Sequence, residues 1–507
     1  MSVGEMGNPN VLCLVLDCLR LDAITEADAP NIHALGEENL SFDACVTPAN
    51  WSLPAHTSLF TGEWPHEHGY YHREHHLAQL PLVDALAAGG FDTVGVTANI
   101  YASSSHGFDS GFDRFYETRR PLNPRGLNPF AHVRKIQEER TPRPRDYVRT
   151  LVDAATHDRP LASLDNFSRA VALELDRRYG YRDYLPLIDA DSYGFLTRAS
   201  TRSTDLLVDE IERTADRSEP LFAFANYMDT HYPYEPPEEH FRAVADGRWE
   251  LEDLRTMSPN LSNARTFRNQ FFAGDIDEDD VELVRAAYRA EVRSVDEQVG
   301  RLLQALEDAG VRDETVVVVT SDHGEGLGET DLRGERSMGH LDALNEHLWT
   351  VPLIVAHPDL DARTIEDRTS LRALYDLLTG DLESFLDVGG ATWDDYFDDD
   401  PVFFELPANP YHEESMRNYD YFEDWFVERE SLTHTVLGFD GEWKVVADSR
   451  GAVSAYRGDE AVDVSDAPAA LRTACEDAVE RFPAVEGDVE ADLSGDVEQQ
   501  LRDLGYV

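Results

Sequence analysis

Four residues have the types and settings needed for metal-assisted ester chemistry. Asp17 ends the apolar run Val11–Leu16, and Asp322 and His323 follow the apolar run Val316–Thr320. Two carboxylates and an imidazole make a mixed oxygen and nitrogen donor set, which predicts one divalent cation, Mn2+, Fe2+ or Zn2+ in preference to Ca2+. Ser52 lies in TPANWSLPAHTSLFTG, two residues before Pro54. Serine is favoured at a helix N-cap and proline is tolerated in the first turn, so Ser52 is expected to cap a helix whose unpaired N–H groups attract a tetrahedral anion. A cation beside its hydroxyl would favour the alkoxide and offset charge on substrate oxygens. Each residue also has a plainer reading: Ser52 as a cap and nothing more, Asp17 as a cap or as a partner of Arg20. Only a fold can bring Ser52 to the two aspartates.

The elements that would do so are legible. Short, continuously apolar runs at Val11–Leu16 and Val316–Thr320 read as central parallel strands buried on both faces, with Leu221–Tyr227, Val351–His357 and Asp92–Thr97 as further strands. Polar residues at the carboxyl ends of such strands are where open α/β sheets place their sites. Val281, Val284, Tyr288, Val292, Val295, Val299, Leu302 and Leu306 recur at three- and four-residue steps and predict one long helix stopped by Gly310. The expected class is α/β, a large, mostly parallel central sheet with a smaller C-terminal subdomain. The catalytic unit is placed at 1–380, with insertions at about 119–216 and 238–277, the second polar and irregular; the first carries a helix near Phe167–Arg178. The subdomain, 381–507, begins near the cluster Asp394, Asp395, Asp398, Asp399 and Asp400, and Thr435–Leu437 and Trp443–Val446 form a hairpin about Asp440-Gly441.

Composition narrows the partners. The formal net charge is −55, from 99 acidic against 44 basic residues. Such a surface repels nucleic acid and anionic membrane, and its hydration suits high salt, which predicts a halophilic, archaeal source. A hydrophobic content of 42% argues against an acidic disordered chain. Four cysteines without a CxxC pair exclude a thiolate cluster or disulfide framework, and no signal peptide or membrane anchor is legible, so the expected location is the cytoplasm. Oligomerisation is left open.

Six segments in order, from NVLCLVLDCLRLDAI through the Ser52 segment, MDTHYPYEPP, the long helix and TSDHGEGLGE to VPLIVAHP, resemble the sulfatase family of the alkaline phosphatase-like superfamily, and the closing QQLRDLGYV resembles the family's usual end. The resemblance implies an alkaline phosphatase-like sandwich and hydrolysis of phosphate, phosphonate or sulfate esters, small or linked to a glycan or lipid. It implies Ser52 as nucleophile, His231 near the leaving-group oxygen, and His340 against substrate or metal. In the family signature the nucleophile becomes formylglycine and an arginine follows; His56 stands in its place, which favours an unmodified serine. The metal set Asp17, Ser52, Asp322 and His323 is similar to that of phosphonate monoester hydrolases and phosphodiesterases. The sulfatase alternative keeps Ser52 converted to formylglycine; transfer to another alcohol, or anion binding without turnover, are further readings. The lysine that the family places after the metal pair is absent, and Arg333 or Arg336 is expected to clamp a substrate oxygen instead. His66, His68 and Lys444 read as structural, His72, His75 and His76 as a solvated loop, and Cys18 as lining the pocket.

Overall fold

The computed structural model describes residues 8–118, 144–157, 159–161, 163–164, 166–168, 199–214, 217–257, 270–272, 274–340, 343–387, 389–390, 393, 401–409 and 424–483, with 127 and 129. The acidic cluster 394–400, the closing QQLRDLGYV and most of the helix expected at Phe167–Arg178 lie outside the described residues.

The strands of the large sheet are β1 (Asn10–Leu16), β2 (Leu40–Val46), β3 (Asp92–Thr97), β4 (Arg114–Glu117), β5 (Leu221–Tyr227), β6 (Thr315–Thr320), β9 (Thr350–Ala356), β10 (Arg363–Ile365) and β11 (Thr369–Ser370); β7 (Gly326–Thr330) and β8 (Arg336–Gly339) form a separate hairpin. The order is β10-β2-β9-β6-β1-β5-β3-β4, with β11 also on β2. All pairs are parallel except those of β9 with β2 and β6. The continuous apolar runs have a simple cause, because alternate residues enter different cores. Val11, Cys13 and Val15 of β1, with Phe222, Phe224, Val316 and Val318, face one. Leu12, Leu14 and Leu16, with Ala223, Tyr227, Val317 and Val319, face the other.

The second core is roofed by the helix Glu278–Ala309. Asp277 caps it with a capping box to Asp280, Gly310 ends it in the left-handed conformation, and all eight residues of the expected stripe are buried. Helices Ala199–Thr214 and Glu238–Ala245 pack on it. The region 238–277 is therefore not wholly irregular: Glu238–Ala245 and Leu251–Met257 are helical, and Phe241, Ala245 and Leu254 are buried. Their apolar residues are too few per turn to stand out from the polar background, and packing on the long helix supplies the order. Among the described residues, no helix is long and apolar enough to cross a membrane.

The first core is shared with a smaller antiparallel sheet, β12 (Val402–Leu406), β13 (Thr435–Asp440), β14 (Trp443–Asp448), β15 (Val453–Arg457) and β16 (Glu460–Val462), in chain order. The β13–β14 hairpin turns through Gly441 and Glu442, with Asp440 paired to Trp443. Helix Ala469–Arg481 lies so close to β13 that a Cβ on Gly438 would stand 2.4 Å from Cys475 Sγ. This sheet is tied to the site. Glu405 of β12 bridges to Ala49, three residues before Ser52, and its carboxylate accepts from His66 N at 2.9 Å and His66 Nδ1 at 2.5 Å. Lys444 pairs with Asp459 at 2.6 Å.

His434 stacks on Phe482 with ring centroids 4.3 Å apart, and its Nδ1 accepts from Ala408 N at 3.0 Å. Burial, helped by His72, holds its pKa down to about 4. The unfolded chain, with histidine near its usual value of about 6.5, takes up the proton first as pH falls, so this stability is present above that value and is lost on the way down to the folded pKa. Between pH 7 and 5, urea unfolding of the wild type should lose on the order of 1–2 kcal/mol more than His434→Asn, which keeps an acceptor for Ala408; equal losses would contradict this.

Candidate active site

Three neighbouring parallel strands end at one edge. Leu16 of β1 is in register with Tyr227 of β5, and Val15 with Thr320 of β6, so the residues that follow emerge side by side. Asp17 N donates to Tyr227 O at 2.9 Å and Thr230 Oγ1 to Asp17 O at 2.5 Å, which fixes the Asp17 backbone against the β5 loop. Thr47 Oγ1 donates to Asp322 O, which ties the loop before Ser52 to the end of β6.

Ser52 is the first residue of helix Ser52–Thr61, and the cap position belongs to Trp51. The cap expected at Ser52 is shifted by one residue because extended Trp51 already supplies the carbonyl that Ala55 N bonds. The serine side chain is therefore not spent on a capping bond. Its Oγ instead donates to Asp17 Oδ2 at 3.2 Å and lies 3.5 Å from His323 Nε2. In the first turn Pro54 has no N–H and Ala55 N is bonded to Trp51 O, which leaves the amides of Ser52 and Leu53 without a carbonyl of an earlier turn.

Asp17 and Asp322 are both enclosed. Burial pushes the Asp17 carboxyl well above the usual carboxylate range and the charge of Asp322 adds to this, against donors from Cys18, Ser52 and Asn99. Burial also raises Asp322, but His323 and His56 outweigh it and leave that group below its ordinary value. Two buried carboxylates whose charges act on one another resist being ionised together without added positive charge. Asp322 Oδ2 is buried without a hydrogen-bond partner, 3.5 Å from both His323 Nε2 and His56 Nδ1. His323 gives its Nδ1 proton to Gly324 O at 2.9 Å, so Nε2 keeps its lone pair and faces Asp322, Ser52 and, at 3.9 Å, Asp17 Oδ1. Burial holds the His323 pKa down to about 4, which keeps the ring a neutral donor. An orphaned carboxylate oxygen, an imidazole lone pair, a second carboxylate and a hydroxyl fit a divalent cation with ligand bonds of about 2.0–2.3 Å. Asp17, Asp322, His323 and Ser52 would hold it.

The structure brings His231 and His340 to the same place, both buried, with rings 5.1 Å apart and His340 4.5 Å from His323. Burial, with His340 and His323 nearby, holds His231 well below the usual histidine range. Arg333 and Arg336 are engaged elsewhere. Arg333 Nε pairs with Asp331 at 3.0 Å, and Arg336 bonds Glu278 and Gly328 O and lies over Phe271. The turn of the β7–β8 hairpin, not readable from spacing alone, sets these directions. His75 accepts from the amides of Tyr71 and His72, which makes that loop self-capped.

Asn99 is not marked by any sequence pattern, and His56 was marked only as the residue in the arginine position of the family signature. Asn99 Nδ2 donates to Asp17 Oδ2 at 2.5 Å, while its Oδ1 accepts from Tyr101 N. The only signal was its place two residues after β3. His56 donates from Nδ1 to Ser52 O at 2.8 Å and accepts at Nε2 from Asn226 Nδ2 at 3.1 Å. Burial depresses its pKa, so it is a neutral strut between the nucleophile helix and β5.

The fold is an α/β sandwich of a large, mostly parallel sheet and a smaller antiparallel one. The chain belongs to the Sulfatase family, whose sequence pattern matches residues 9–380. Curated relatives include the uncharacterized sulfatase YidJ of Escherichia coli, 23% identical over 371 residues, covering 72% of this chain and 66% of that protein. Another is the ulvan-active sulfatase of Formosa agariphila, 23% identical over 366 residues, with 70% and 58% coverage. The chain thus spans less than two thirds of their length. Among solved structures, the phosphonate monoester hydrolase of Agrobacterium radiobacter superposes with a TM-score of 0.59 at 20% identity, over 94% of this chain and 95% of that one.

If the buried carboxylates hold a cation, adding Mn2+ or Zn2+ to chelator-treated protein should raise the melting temperature, by the equivalent of about 4 kcal/mol at a thousand times Kd. Asp322→Asn should lose most of that rise. An equal rise in the variant would place the stabilising ion elsewhere.

Proposed function

We propose that this chain hydrolyses sulfate esters at Ser52, on a small molecule or a glycan. The observation that carries the reading is the meeting of Ser52 Oγ with Asp17 Oδ2 and His323 Nε2 at the start of a helix. The histidines support the substrate class. His56, His231 and His323 are all held below the ordinary histidine value by burial, so they add little positive charge. A singly charged tetrahedral ester suits such a lining better than a dianionic phosphate monoester. The names of the curated relatives, sulfatases in both cases, point the same way.

In this reading the oxygen on residue 52 attacks sulfur in line with the leaving alcohol. Asp17 Oδ2, already the acceptor of the Ser52 proton, receives it as attack proceeds. The helix start holds the peripheral oxygens. A bound cation supplies Lewis acidity and neutralises charge on the ester. His231 gives the proton to the leaving oxygen. The entering anion raises the proton affinity of its buried ring, which is otherwise neutral. Conversion of Ser52 to formylglycine lets the hydrated aldehyde release sulfate by elimination and regain the carbonyl.

One observation favours a second reading, in which unmodified Ser52 cleaves phosphodiesters or phosphonate monoesters. His56 occupies the arginine position of the family signature and is fully engaged with Ser52 O and Asn226. Turnover of 4-nitrophenyl sulfate and of bis(4-nitrophenyl) phosphate separates the two. The sulfate reading expects kcat/KM for the sulfate to exceed that for the diester, with both reduced at least ~1000-fold in Ser52→Ala, as for loss of a nucleophile. Preference for the diester would move the assignment to the second reading, and undiminished rates in Ser52→Ala would remove both.

A further inference from the structure

Large apolar side chains are withdrawn from solvent almost everywhere in this fold, with one exception. Tyr147, Val148, Leu151, Val152, Leu161 and Leu164 are between 36% and 84% exposed, and among the described residues no other large apolar side chain is as open to water. All six fall within residues 147–164, so they make one face rather than the scatter that ordinary surfaces show. The first four lie on helix Pro144–Ala155, whose burial is inverted. A surface helix ordinarily turns its apolar stripe to the core. Here the inward positions are Thr150 and Ala154, both fully buried, while the larger apolar side chains look out.

At about 100° per residue, Tyr147, Leu151, Val148 and Val152 fill one sector beside the buried edge, and Arg145 and Arg149 follow on its far side. Both arginines are exposed, with Arg149 Nε 3.8 Å from Asp153. Polar bonds hold the chain that follows. Ser163 Oγ accepts from Leu127 N at 2.9 Å and donates to Arg159 O at 2.8 Å, and Asn166 Nδ2 donates to Leu127 O at 3.0 Å. Ser163 and Asn166 are the buried residues of that stretch, which leaves Leu161 and Leu164 on the outside. Charge selects what covers this face. The chain has 99 acidic against 44 basic residues, yet residues 119–149 carry nine basic against three acidic. The chain as a whole repels an anionic surface, but salt limits that repulsion to about 10 Å, so a surface in contact responds to the local arginines. Tyrosine, valine and leucine flanked by arginine are the makeup of a helix that lies in the plane of a lipid surface, with its apolar side in the acyl boundary and its cations at the headgroup phosphates. A soluble polyanion would engage the arginines and leave the six apolar side chains in water.

We propose that helix Pro144–Ala155, together with Leu161 and Leu164, is a docking face for an anionic lipid surface, on which the chain lies without spanning it. The apolar side chains supply the insertion and Arg145 and Arg149 the preference for negative headgroups. The proposal rests on this face alone and is independent of the substrate assigned above.

The test is flotation of the full chain with vesicles of phosphatidylcholine alone and of phosphatidylcholine mixed with phosphatidylglycerol. Wild type should float with the mixed vesicles, less with the neutral ones, and less as salt rises from about 0.1 M to about 1 M. Val148→Asp and Leu151→Asp should each lower partitioning about ten-fold or more, because a charge replaces an inserted side chain. Arg145→Gln combined with Arg149→Gln should lower it about twenty-fold on the mixed vesicles and little on the neutral ones, each basic residue near such a surface being worth roughly five-fold. These positions are exposed, and circular dichroism checks that each variant is folded. Failure of wild type to float with the mixed vesicles would overturn the proposal, and so would flotation that Val148→Asp and Leu151→Asp leave unchanged. Retention on heparin without flotation would assign the face to a soluble polyanion instead. A dimer in sedimentation velocity that Val148→Asp dissolves, again without flotation, would assign it to a second copy of this chain.

Discussion

Two buried carboxylates on either side of one imidazole nitrogen, His323 Nε2, are the constraint on which the rest of the structure depends. Asp17 and Asp322 are placed by β1 and β6, neighbours in the middle of the sheet, and neither can move without disturbing strands buried on both faces. Their mutual repulsion in an enclosed space is unfavourable unless positive charge arrives. The surrounding polar groups turn this strain to one direction. Asn99, Ser52 and Cys18 donate to Asp17, and amides of Cys18 and His323 donate to Asp322 Oδ1, which leaves Asp322 Oδ2 as the unmatched atom. The site is organised to accept a cation next to a serine at a helix start.

The second core explains why the edge is rigid. The helix Glu278–Ala309 carries Tyr288, whose hydroxyl both donates to Cys18 O and accepts from Arg20 N. A residue in the first half of the longest helix among the described residues thus sets the turn that follows β1. Gly324 shows the same economy of space. A Cβ there would stand 1.7 Å from His347 O, so the segment carrying His323 and Glu325 can pass beneath the β9 approach only as glycine.

The sequence made the sheet and the chief site residues readable because burial on both faces writes itself as an unbroken apolar run, and a polar residue that ends such a run is conspicuous. Asp17, Asp322 and His323 were visible for that reason, and the long helix through its regular stripe. Ser52 was visible through its proline, although Trp51 took the cap that the proline suggested. What spacing could not show was direction. Arg333 and Arg336 lie near the metal pair in sequence, yet hairpin geometry turns them to Asp331 and Glu278. Asn99 reaches the site from the turn after β3, whose local pattern is unremarkable, and only tertiary packing assigns it Asp17 as a partner. The helices within 238–277 were hidden by a polar composition that packing overrides.

The central claim is that the oxygen on residue 52 is the attacking atom, and the most direct measurement is the mass of the peptide containing Ser52, taken from native protein and from protein quenched during turnover. The account predicts an aldehyde or its hydrate at residue 52, or a serine that gains a sulfuryl or phosphoryl group in the quenched sample. An unmodified serine in both samples, with turnover persisting when residue 52 is alanine, would contradict it.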